Sequence, residues 1–227
     1  MNPIIIALDC ETAAEARGIV DATAEEITFY KVGLELYTVA GMAFVDELLG
    51  RGKKVFLDLK FHDIGETVKR AVRQVARSGV SLLTVHAEPG VMRAAVEGRG
   101  DAGLQLLGVT VLTSIAESDL PGMGYSCSLE ELFALRVRNA MEAGVDGLVC
   151  SPLEVGALRA RVGPEKILVT PGVRSAGADV GDQKRVATPA AAMEAGASYL
   201  VVGRQVTRAA DPGAAVRQIL AEIANRD

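Results

Sequence analysis

Short apolar runs rich in β-branched residues recur along the chain, separated by longer segments in which Ala, Glu, Arg and Leu repeat at helical spacing. This alternation constrains the fold more than any other feature, because a strand, a crossing helix and a further strand together build parallel sheet. The runs at 4–8, 29–32, 54–59, 82–86, 105–112, 147–150, 167–170 and 199–202 read as eight strands. The segments at 12–25, 39–49, 66–77, 91–97, 129–143, 153–161, 189–195 and 213–225 read as eight helices. Helix ends carry their own signals. Gly79, Gly144 and Gly196 follow helical runs where a left-handed residue is easiest, and Thr188-Pro189 supplies an N-cap and a first-turn proline.

Eight such units within 227 residues predict an α/β chain folded as a single (β/α)₈ TIM barrel over 1–227, near the small end of that architecture. The rival is an open, doubly wound sheet. The barrel is preferred because "IIIALDCET" places an aspartate, and no G-x-G-x-x-G, after the first strand. No linker, charge block or low-complexity run divides the chain, and its 49% apolar content suffices for a large core. The longest irregular stretches, 114–128 and 172–186, are of a length that often forms lids or ligand-binding loops. A net charge of -5 argues against nucleic acid and anionic membranes as partners. The opening "MNPIIIALD" lacks a basic region, its apolar run is too short for a secretion signal, and no stretch is long enough to span a bilayer, so the expectation is a soluble, cytoplasmic protein. Cys10, Cys127 and Cys150 lack metal-site spacing and are expected to be reduced core thiols.

In a parallel barrel all strands end at one face, where such folds place their chemistry. The strand ends here present Asp9; Lys31; Asp58, Lys60 and Asp63; His86; Thr113 and Ser114; Ser151; Pro171 and Arg174; and Gly203 and Arg204. Within "VFLDLKFHDIG", a period of two puts Phe56, Asp58 and Lys60 on one face and Val55, Leu57 and Leu59 on the other. The apolar set faces the helices, so Asp58 and Lys60 point into the barrel mouth, where charges are costly unless paired. Such charges can close the barrel as an ion-pair network or perform chemistry. "LVTPGVR" and "LVVGRQV" each set a glycine near an arginine, at the two loops that commonly hold phosphate in barrels, although turn glycines with solvated arginines look the same. His62 and His86 are read as packing or hydrogen-bonding residues, and Tyr30 and Phe56 as core.

"FYKVG", "DLKFHDIG" and "TPGVR…GDQKRVATP…VVGR", in this order and on these elements, closely resemble the orotidine 5′-phosphate decarboxylase family over nearly the whole chain. The resemblance implies a (β/α)₈ homodimer that converts orotidine 5′-monophosphate (OMP) to UMP and CO₂ in pyrimidine biosynthesis, with neither metal nor organic cofactor. It assigns the charged network to Lys31, Asp58, Lys60 and Asp63, with Asp63 and Thr67 reaching the neighbouring subunit's site. By the same resemblance Asp9 and Lys31 hold the ribose hydroxyls, and Thr113 and Ser114 contact the pyrimidine. Gln183, Arg204 and the backbone at Gly203 grip the phosphate, with Pro171 and Arg174 close by. The sequence departs from the family form at "DIGET", where Gly65 and Glu66 follow, and at "AEPG" after His86.

Loss of CO₂ from C6 of the pyrimidine leaves an electron pair in an sp² orbital that the ring cannot delocalise well. A lysine ammonium near C6 can stabilise that charge and then deliver the proton, the role expected of Lys60. Asp58 is expected near the leaving carboxylate, with Lys31 balancing it. Two alternatives share the scaffold: a Mg²⁺-dependent sugar-phosphate decarboxylase or aldolase, and a noncatalytic nucleotide-binding barrel. A cation at position 31 suits the metal-free network, since a hard Mg²⁺ calls for an oxygen ligand there.

Overall fold

The computed structural model describes residues 2–112, 115–175 and 187–225. Eight parallel strands close into a barrel in which each is hydrogen-bonded to its sequence neighbours and the first pairs with the last. They are β1 (Ile4–Ala7), β2 (Phe29–Gly33), β3 (Lys54–Phe61), β4 (Leu82–His86), β5 (Gln105–Val109), β6 (Gly147–Val149), β7 (Ile167–Pro171) and β8 (Tyr199–Val202). The helices are α1 (Ala13–Ala22), α2 (Leu34–Gly50), α3 (Gly65–Ser78), α4 (Pro89–Arg99), α5 (Leu129–Ala143), α6 (Val155–Val162), α7 (Pro189–Glu194), α8 (Arg204–Thr207) and α9 (Pro212–Ala224). None is long and apolar enough to cross a membrane.

Alternation along the strands builds two apolar layers. Ile5, Phe29, Phe56, Leu82, Leu107, Val169 and Val201 fill the barrel interior. Their neighbours, among them Ile4, Tyr30, Leu57, Leu83, Leu106, Leu148, Leu168 and Leu200, pack outward against the helices. A strand buried on both faces in this way must be almost wholly apolar, which is why the runs read so clearly. The expected caps form: Gly79 and Gly144 end α3 and α5 in the left-handed region, and the Thr188 hydroxyl accepts the Ala191 N–H.

Several boundaries differ from the sequence reading. Helix α2 begins directly after β2 at Leu34, five residues before the expected start, and breaks at Gly41, whose φ of 57° suits glycine. Strand β5 stops at Val109, short of 112. Two 3₁₀ turns, Glu117–Asp119 and Pro121–Met123, order part of the expected loop 114–128. They pack Leu120 with Val111 and Leu132 in a small apolar cluster of their own, against which Cys127 rests half-buried. The four-residue helix α8, too short to show a period, follows β8.

Candidate active site

Three adjacent strand ends assemble the charges. From β2, the Lys31 ammonium lies 2.8 Å from Asp9 Oδ1, just beyond β1, and 3.6 Å from Asp58 Oδ2 on β3. Two residues along β3, Lys60 Nζ lies 2.8 Å from the other Asp58 oxygen. The result is a chain of alternating sign, Asp9–Lys31–Asp58–Lys60, in which each ion has an opposite neighbour. Lys31 is buried and the Asp58 side chain keeps only 15% of its surface exposed, so pairing is what makes their burial tolerable. Burial alone pushes the Asp58 carboxyl up. Lys31 and Lys60, with hydrogen bonds from Lys60 and Thr84, outweigh it and hold the group below the ordinary carboxylate range.

These four residues line a cavity of about 600 Å³ over the barrel mouth, together with Pro171, Arg174, Gly203 and Arg204 from the ends of β7 and β8. Among the described residues its rim is electrically asymmetric. Arg174, Arg204 and Arg208 gather at the β7–β8 side, and Glu11, Glu15 and Glu35 at the β1–β2 side. The root of the β7 segment is tied down: Val173 pairs with Ala187, and the Gln205 amide both accepts the Ser175 N–H at 3.2 Å and donates to the Ser175 hydroxyl at 2.5 Å. Thus α8 carries Arg204 and clamps the β7 stem from adjacent positions.

Asp63 and Thr67 stand apart. They line a separate, shallower cavity of about 290 Å³, which Lys60 also borders. Asp63 is exposed and its carboxylate accepts the Ile64 N–H at 2.6 Å. Beside it Ile64 leaves 74% of its surface uncovered. Thr113, Ser114 and Gln183 lie outside the described residues.

Nucleophilic thiol chemistry does not fit the cavity. Cys10 and Cys150 border it, but burial pushes each thiol up to about 12, so neither supplies a thiolate near neutrality. Burial and the neighbouring His62 and Arg136 lower the His86 imidazole from its ordinary range, and its ring packs on His62 with ring centres 4.8 Å apart. His62 in turn meets Glu88 at 3.1 Å, so the two rings serve local packing and hydrogen bonding, as expected. Ser151 is buried and accepts the Leu153 N–H, a turn contact.

Three residues escaped the sequence reading. Thr84 is buried on β4 and bonds both Asp58 and the Lys60 backbone; its place between Leu82 and His86 on the inward face was the available signal. Gly33 follows Lys31 by two residues, and a methyl group there would lie 2.9 Å from Lys31 Nζ and 3.0 Å from Asp9 Oδ1. Gln205 carries no pattern that marks it as a clamp.

Comparison with known proteins bears on the family and the fold. Residues 2–219 match the model of the orotidine 5′-phosphate decarboxylase / HUMPS family. The orotidine 5′-phosphate decarboxylase of Rhodopseudomonas palustris (strain HaA2) is 51% identical over 221 residues, which cover 97% of this chain and 94% of the relative. That of Caulobacter sp. (strain K31) is 49% identical over 221 residues, covering 97% and 96%. The crystal structure of orotidine 5′-phosphate decarboxylase from Lactobacillus acidophilus superposes with a TM-score of 0.86 at 35% identity, covering 98% of this chain and 99% of that one. A barrel whose charged mouth lies on the matched segments, and whose likeness runs end to end, has one assignment: the chain belongs to the orotidine 5′-phosphate decarboxylase / HUMPS family.

Proposed function

We propose that the chain is a carboxy-lyase that decarboxylates OMP to UMP and CO₂ in pyrimidine biosynthesis, as a cytoplasmic homodimer that needs no metal or organic cofactor. The observation that carries the reading is the alternating Asp9–Lys31–Asp58–Lys60 chain at the barrel mouth. The phosphate binds at the arginine-rich β7–β8 rim, through Arg204, the Gly203 backbone and Gln183, with Pro171 and Arg174 adjacent. The ribose hydroxyls meet Asp9 and Lys31, and the ring extends toward Lys60 with Thr113 and Ser114 on its edge. This orientation follows from charge, since an anionic group is repelled by the glutamates of the opposite rim and drawn to the arginines.

In the reaction the C6–CO₂⁻ bond breaks and its electron pair remains on C6. The Lys60 ammonium stabilises that pair and transfers a proton to C6, and the Asp58 carboxylate fixes the ammonium through its 2.8 Å contact. Such a preorganised pair needs no reorganisation as charge develops. Binding energy from the distant phosphate positions the ring, so it acts on the rate although it touches no breaking bond. Lys31 supports the metal-free reading, because its ammonium already neutralises the carboxylates of Asp9 and Asp58 that a hard divalent ion would require. Asp63 and Thr67 serve the partner's site. The exposed acid beside an uncovered isoleucine supports that assignment, since a second subunit would shield Ile64 and bring Asp63 to its own cavity.

The test is the loss of orotidylate absorbance on mixing with the purified protein and EDTA. Turnover should survive the chelator, and Lys60→Ala should lower it by at least about 10²- to 10⁴-fold, because general acid and field are lost together. A requirement for Mg²⁺, or near-normal turnover of the variant, would overturn the reading.

A further inference from the structure

The charged site rests on a distortion of β3. Between the pairs Leu57–Leu83 and Phe61–Val85, β3 carries three residues, Asp58, Leu59 and Lys60, where β4 carries only Thr84. Such an insertion re-aims side chains and removes the affected backbone from the ordinary ladder. Lys60 itself adopts φ 48°, the sole positive value at a non-glycine residue among the described residues. A long L side chain occupies that region only when its surroundings enforce it.

Thr84 is the group that does so. It has no exposed surface, its Oγ1 accepts the Lys60 N–H at 2.9 Å, and the same oxygen lies 2.9 Å from Asp58 Oδ1. A hydroxyl has one proton to give, and an ionised carboxylate only accepts, so Thr84 donates to Asp58 while it receives from Lys60. The same Asp58 oxygen also accepts from Lys60 Nζ at 2.8 Å. One small side chain therefore closes a ring through the backbone of the lysine, the head of the aspartate and the ammonium. Without the hydroxyl, the Lys60 N–H loses this acceptor and the strained φ loses its tie.

We infer that Thr84 is a positioning residue for the chemistry proposed above: by holding the left-handed turn at Lys60 and fixing Asp58, it aims the ammonium at the reacting carbon. The inference rests on that proposed function. Two variants separate aim from bulk. Thr84→Val keeps the shape and removes the hydroxyl, whereas Thr84→Ser keeps the hydroxyl and removes a methyl group.

For OMP turnover, T84V should lower kcat by about 10- to 100-fold, the range expected when a reacting group is displaced by a fraction of an ångström to an ångström. KM and UMP affinity should stay within about threefold, since the phosphate grip is untouched, and T84S should recover most of the lost kcat. The Lys60 amide should exchange slowly in the wild type and about tenfold faster or more in T84V, while amides elsewhere on β3 and β4 are unchanged. A wild-type kcat in T84V, a T84S variant no better than T84V, or an unprotected Lys60 amide in the wild type overturns the inference. If T84V does not fold, the wild-type amide still decides it, together with T84S, whose kcat should lie within about threefold of the wild type and overturns the inference if it falls about tenfold or more. If the wild type does not decarboxylate OMP, the proposed function fails, and amide exchange still tests the tie separately.

Discussion

Gly33 offers a perturbation whose effects on stability and on activity should separate. Its backbone sits at φ −98° and ψ −176°, extended geometry that any residue adopts, so alanine introduces no backbone strain. The added methyl group would lie 2.9 Å from Lys31 Nζ and 3.0 Å from Asp9 Oδ1, against an ordinary contact distance of roughly 3.5 Å. The lysine tip must therefore retreat by about 0.6 Å, and being the far end of a flexible chain it can. Gly33→Ala reduces the freedom of the unfolded chain, worth about 0.4–1 kcal/mol, but places a poorer residue at the N-cap of α2, which costs a similar amount. The melting temperature should move by no more than about 3 °C. Catalysis has no such compensation, because the Lys31 ammonium bridges Asp9 and Asp58, and a displacement approaching 1 Å at a preorganised site costs up to about 100-fold. We expect kcat/KM for OMP to fall about 10- to 100-fold, or ~1.4–2.7 kcal/mol of transition-state stabilisation. Steady-state kinetics with a parallel melting curve provides the test. A kcat/KM within twofold of wild type would show that the position of the Lys31–Asp9 pair does not matter. A large loss of melting temperature would show that the methyl group meets something less yielding.

Because the Asp58 carboxyl is held below its unfolded value of about 3.9, its stabilisation is complete above that range and is lost as pH falls through the folded value. Asp58→Asn should therefore reduce stability at neutral pH by about 3 kcal/mol and flatten its acid decline, both read from urea midpoints; parallel acid limbs would refute the assignment. Arg159 on α6 donates to the carbonyls of Gly163, Pro164, Lys166 and Gly196 and to the Ser198 hydroxyl, so Arg159→Ala should cost roughly 3 kcal/mol and lower the melting temperature by about 6–12 °C, with kcat unchanged in the folded fraction. Arg204→Ala should lower kcat/KM for OMP at least tenfold while leaving the slow turnover of phosphate-free orotidine unchanged, a comparison that isolates the phosphate contact.

The parts of this structure that depend on local periodicity were legible in the sequence, and those that depend on pairing between distant segments were not. Leu57 and Leu59 facing the helices, and Asp58 and Lys60 facing the mouth, follow from a period of two that the bulge does not reverse. The left-handed caps at Gly79 and Gly144 are decisions of single residues and were equally readable. The bulge could not be read, because its existence is a matter of which β4 residue lies opposite, and "LLTVH" gives no register. Thr84 hid for a related reason: a β-branched residue inside a strand needs no further explanation until its hydroxyl is found between Asp58 and Lys60. Gly33 and Gln205 act across space on Lys31 and Ser175, which sequence spacing alone does not bring together with them.

Why the charges fall on β1, β2 and β3 in succession has a physical answer. Ions buried singly at a barrel mouth would each carry an unrecovered desolvation cost, whereas neighbouring parallel strands bring their ends within hydrogen-bonding reach. Placing Asp9, Lys31, Asp58 and Lys60 in that spatial order gives every interior member two opposite partners and leaves the set neutral. Among the described residues Lys60, the terminal ammonium, is paired with one carboxylate, that of Asp58, and it stands where two cavities meet. It is thus the less neutralised of the two ammonium groups, and under the proposed function it is the one left to meet a further anion, a developing carbanion in one cavity or a partner's aspartate in the other. The left-handed backbone at Lys60 is what directs that incompletely paired charge between them.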